Sequence, residues 1–145
     1  MIEPVPAGLG RRLAARTLDA VLGVVVWGLA AMWLVIGAWG FRRSPLELHE
    51  VAVLALAVVV LGVLLHVVYH VAFVGGCGQT PGGMALGIAV VRRDGERAGY
   101  ARAAVRCLAG ILSTLTLGLA SIALLFSRER RGFPDWLAGT RVVRA

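Results

Sequence analysis

Hydrophobic positions in this chain fall in long unbroken runs rather than in alternation with polar ones. From Ala20 to Phe41 there is no charged residue for 22 positions. As a helix rising 1.5 Å per residue this stretch would be roughly 33 Å long, enough to cross the hydrocarbon core of a bilayer with some tilt. A first transmembrane helix is therefore predicted over about residues 13–40. Trp39, just before Arg42 and Arg43, stands where an interfacial aromatic is expected. The link FRRSPLELHE, 41–50, carries Pro45 and mixed charge, and the next apolar run follows it at once. This second run predicts a transmembrane helix over about 51–74, and so short a link makes the two spans an antiparallel hairpin.

After the second run the pattern changes. GGCGQTPGG, 75–83, holds five glycines and a proline, which ends the helix and predicts no regular structure through the stretch. Ile88–Val91 is a short β-branched run, and Asp94-Gly95 is a turn signal. Outside the spans the other such run is Arg141–Val143, so the two are expected to pair as short extended segments at the cytoplasmic surface. Cys107 to Phe126 forms a third apolar run of 20 residues, softened by Ser113, Thr114, Thr116, Gly118 and Ser121.

Charge decides how to read that third run. All 15 basic residues are arginine, and with the N-terminus inside and three full spans they divide eight inside against seven outside. If the third run enters and returns to the same side, the division becomes thirteen against two, as the positive-inside rule prefers. Twenty residues cannot span twice. A re-entrant or in-plane helical hairpin bending near Thr116 to Gly118 is the preferred reading, and a third span is the alternative. The predicted class is an all-α membrane protein in one domain, 1–145, with both termini cytoplasmic.

Composition agrees: the chain is 59% hydrophobic with a mean hydropathy of +0.82, well above an ordinary soluble domain. The net charge of +7 does not indicate nucleic acid, because the arginines flank apolar runs instead of forming a solvated basic face. Cys77 and Cys107 have no zinc-ligand spacing, and no metal or cofactor is expected. The first apolar run is too long for a signal-peptide core, so a cleaved leader is not expected.

Arg12, Arg16 and Asp19 are spaced by four and three, on one stripe of the first helix. A carboxylate there is costly in lipid and needs a partner or water, whether it serves as a structural ion pair or as a titrating site. His66, Tyr69, His70 and Phe73 form a second stripe. The two histidines lack the glutamate of HExxH and an evident third ligand, which leaves packing at the interface or proton handling. No nucleophile has a base in a recognisable motif, so no enzyme activity is expected.

RRLAARTLD before the first run, GQTPGGMALGIAVVRRDG after the second and RRGFPDWLAGTRVV near the C-terminus together resemble the RDD family of small bacterial membrane proteins, named for one arginine and two aspartates. The resemblance puts the arginine at Arg12 and the aspartates at Asp19 and Asp135. Two positions depart from the family pattern: Gly83 stands where GQTPGK has lysine, and Pro134 precedes the second aspartate in place of histidine or glycine. The resemblance implies a protein of the bacterial cytoplasmic membrane with no settled molecular function, for which transport has been suggested. If the signature is one unit, Asp135 must reach Arg12 or Arg16, and the arginines would pair both aspartates.

Two functions follow as expectations. One is transport or ion coupling at the charge cluster, with Arg16, His66, His70 and Gln79 as candidate ligand- or proton-handling residues for a small ion or small molecule. The other is a non-catalytic scaffold or accessory subunit in which the cluster is a structural lock. Besides the bilayer, the expected partner is a second copy of the chain or another membrane protein.

Overall fold

The computed structural model describes residues 7–40, 44–92, 94–115 and 133–145. In chain order the elements are α1 (Leu9–Gly40), α2 (Leu48–Cys77), α3 (Pro81–Ala85), β1 (Ile88–Arg92), α4 (Gly99–Leu115), α5 (Phe133–Leu137) and β2 (Thr140–Arg144). The chain is mostly helical, and α1 and α2 are long and apolar enough to cross a membrane. Both extend a few residues beyond the predicted limits, because hydrophobicity marks the part of a helix that lies in lipid and not where its hydrogen bonding ends. The bend expected near Thr116 to Gly118, and the choice between a re-entrant segment and a third span, fall outside the described residues.

Two compact units divide the chain, residues 20–66 and residues 1–19 with 67–145. In the first, α1 and α2 meet at Trp27, whose indole N–H donates to the Val58 carbonyl at 2.9 Å. Gly62 makes room for it, since a Cβ there would lie 2.7 Å from the indole nitrogen.

The second unit is built on an antiparallel pair, β1 with β2, in which Val90 faces Val142 and Ile88 faces Arg144. The two β-branched runs thus pair as expected. Ile88, Val90 and Val142 turn inward and form a small core with Ala7, Ala15, Val74, Ala98 and Ala103. Residues 7–8, the lead-in to α1, join the edge of this pair, as the Ala7 N–H donates to Val142 O at 3.1 Å. At Asp94-Gly95 the chain turns, with Gly95 at φ 90° and its N–H on Arg92 O at 3.1 Å.

The glycine-rich stretch corrects the sequence reading. Helix α2 runs on through Gly75 and Gly76 to Cys77 and is closed by Gly78 at φ 74°, a left-handed conformation that suits glycine. Regular structure then resumes at once in α3, where Thr80 is the N-cap, its hydroxyl accepting from Gly83 N at 3.1 Å, and Pro81 begins the helix. A threonine cap before a proline at the first helical position is a strong start signal. It outweighs two glycines when only one turn of helix is needed.

Candidate functional site

Arg12 lies near the start of α1 and is buried. Side chains on a helix lean toward its N-terminus, and this one reaches back out of the helix. Its Nε donates to Ala7 O at 3.0 Å, its Nη2 to Val142 O at 3.0 Å, and its Nη1 lies 3.4 Å from Asp135 Oδ2. One guanidinium therefore ties the lead-in, β2 and α5 together. Its planar fork can do this where a lysine could not.

Asp135, on α5, is almost fully buried at 2% exposure and is shared by two arginines. The second is Arg106 of α4, which pairs with Oδ1 and also lies 3.4 Å from the Thr140 hydroxyl. Burial, with the positive charges of Arg16 and Arg12 adding to it, lowers the Arg106 guanidinium to about 9. Arg106 thus stays charged at neutral pH, and the carboxylate of Asp135 offsets the repulsion between the two guanidinium groups. Nothing in the sequence singles out Arg106 from the other arginines beside the third apolar run.

Asp19 lies two turns further along α1. The arginines were expected to pair both aspartates, and here the structure corrects that expectation. Asp19 is held by three uncharged donors: the Thr80 hydroxyl at 2.6 Å, the Tyr69 hydroxyl at 2.7 Å and the Gly82 N–H at 2.8 Å. The physical reason is direction. Seven residues of helix separate Arg12 and Asp19 by roughly 10.5 Å along the axis, and the guanidinium leans away from the carboxylate. Thr80 does double duty, donating to Asp19 while accepting from Gly83 N. Gly82 allows the close approach, since a Cβ at this position would run into Ala15 O and the Asp19 carboxylate.

The remaining candidates are dispersed. Gln79 donates to Ile88 O at 3.0 Å and so braces the loop against β1. Arg16 is exposed one turn beyond Arg12, and its charge is felt at Arg106. His70 is half-buried on α2, whereas His66 is exposed and belongs to the other compact unit. Tyr69 and Phe73 pack with ring centres 5.0 Å apart. Among the described residues no group of three metal-ligating side chains occurs.

Sequence reasoning missed Thr80 and Gly82 as partners of Asp19, and Arg106 and Thr140 as partners in the Asp135 group. For Thr80 the signal was present, in the Thr-Pro start of a helix. For Tyr69 it was half present, as a member of a stripe that was read for its histidines.

These features define a small helical membrane protein in which one arginine and two aspartates close the unit that carries the ends of both long helices. The chain belongs to the RDD family, whose model matches residues 6–139. Comparison with curated proteins and with solved structures gives no significant match.

Proposed function

We propose that this RDD-family protein is a non-catalytic scaffold or accessory subunit of the bacterial cytoplasmic membrane, and that its signature charges are a structural lock. The observation that carries this reading is how the charges are used. Arg12 bonds the chain's own Ala7 and Val142 carbonyls and Asp135, and Asp19 accepts from the chain's own Tyr69, Thr80 and Gly82. Neither of the two described grooves is lined by Asp19 or Asp135. In this reading α1 and α2 cross the bilayer as a hairpin with both termini in the cytoplasm. The partner is a second copy of the chain or another membrane protein.

One observation favours a second reading, ion or proton coupling. Asp19 is a carboxylate on a long apolar helix in contact with two hydroxyls, which could pass a proton or help hold a small cation. Asp19→Asn separates the two. On the lock reading it lowers thermal stability in detergent, because an amide cannot accept from three donors as a carboxylate does, and no ion flux in proteoliposomes depends on it. A stable Asp19→Asn variant that loses a proton- or cation-dependent flux shown by the wild type would overturn the lock in favour of coupling.

A further inference from the structure

Helix α4 has two unlike faces. Ala103, Arg106, Cys107 and Ser113 are buried on one of them, which carries the arginine of the Asp135 cluster. On the opposite side, Val105, Leu108 and Leu112 are 42%, 62% and 53% exposed. At 100° per residue these three fall on one narrow stripe, so the face turned away from the folded unit is apolar. Trp136 and Leu137 of α5 extend the patch, at 63% and 50% exposed. Between α4 and α5 lies a groove of about 350 Å³ lined by Val105, Trp136, Leu137, Gly139 and Arg102. Among the described residues Arg102 has no carboxylate partner.

We infer that this groove binds an anionic phospholipid, with the phosphate at Arg102, the acyl chains along Val105 and Leu108, and Trp136 at the interface between them. The chemistry of the groove has the same order as the lipid. A cation stands at one side, an amphipathic indole beside it and a leucine stripe beyond, the arrangement of helices that lie in the plane of a membrane surface. The charge is complementary too: Arg12 and Arg106 of the same unit both pair with Asp135, and Arg16 adds positive charge at Arg106. The unit also carries the ends of both apolar helices, residues 9–19 of α1 and 67–77 of α2, so the chain brings it to a bilayer.

Two measurements on the full chain test the site. In the first, a nitroxide is placed at Leu108→Cys in a background with Cys77→Ser and Cys107→Ala, and the protein is reconstituted in vesicles of phosphatidylglycerol and phosphatidylcholine. The label should be relaxed by oxygen and shielded from a water-soluble nickel chelate. Relaxation by the chelate would place the stripe in water, and shielding from both reagents would place it under protein; either result overturns the proposal. In the second, the chain in detergent is titrated with dioctanoyl phosphatidylglycerol and dioctanoyl phosphatidylcholine and read by native mass spectrometry. Arg102→Gln should lower the preference for phosphatidylglycerol about fivefold, the factor expected of one basic residue at an anionic surface, whereas Arg11→Gln should leave it unchanged. An equal loss in both variants, or none in Arg102→Gln, would contradict a headgroup site at Arg102.

Discussion

Asp19 is the residue on which local geometry bears most heavily, because three donors within 2.8 Å converge on it from α2, the α3 cap and the α3 backbone. Each of these is a hydrogen bond to a charged acceptor, a class worth about 1.5–3 kcal/mol. Tyr69→Phe should therefore destabilise the protein by an amount in that range. Thr80→Ala should cost more, because it removes the cap of α3 as well, and Thr80→Ser should recover most of the loss. Thermal unfolding in one detergent checks the order, and a Thr80→Ala variant as stable as the wild type would count against the role given to Thr80. The two cysteines make a separate prediction. Cys107 is 3% exposed and burial raises its thiol pKa, which keeps it protonated and unreactive, whereas Cys77 is exposed. A maleimide should modify one thiol in the folded protein and the second only after denaturation.

At the scale of elements, the contact between α1 and α2 rests on an indole seated in a glycine notch. Gly62→Ala puts a methyl group where Trp27 Nε1 would be 2.7 Å away, so the indole must move and its bond to Val58 O is lost. Restoring room with Trp27→Phe, which has no N–H to satisfy, should make Gly62→Ala less harmful. Comparing the melting temperatures of the two single variants and the double variant checks this. Both long helices and the β1–β2 pair were legible in the sequence, because an uncharged run and a β-branched run each carry their signal within one segment. The link from Arg12 to Asp135 was legible only through the family signature, since 123 residues separate the two. Helix α3 was misread because its glycines were weighed and the Thr80-Pro81 start was not. Arg106 was missed because its role depends on how α4 packs on α5, a contact that no local pattern encodes.

Across the whole molecule, the signature charges form two separate closures of one unit. Arg12 and Arg106 on Asp135 close the N-terminal lead-in and α4 onto the C-terminal segment, and Asp19 closes α1 onto the loop after α2. The backbone bond from Ala7 N–H to Val142 O supports the topology proposed above, in which both termini lie in the cytoplasm. An impermeant thiol reagent added to spheroplasts should leave a cysteine at position 145 unlabelled and should label one at Ser44. The most direct measurement is a pair of double-mutant cycles on thermal or chemical unfolding. Arg12→Ala alone should cost about 3–5 kcal/mol, as removal of one partner from a buried ion pair does. Combined with Asp135→Ala it should cost at least about 1 kcal/mol less than the sum of the single losses, and combined with Asp19→Ala the losses should add to within about 0.5 kcal/mol. Additivity between Arg12 and Asp135, or strong coupling between Arg12 and Asp19, would contradict the two-closure account.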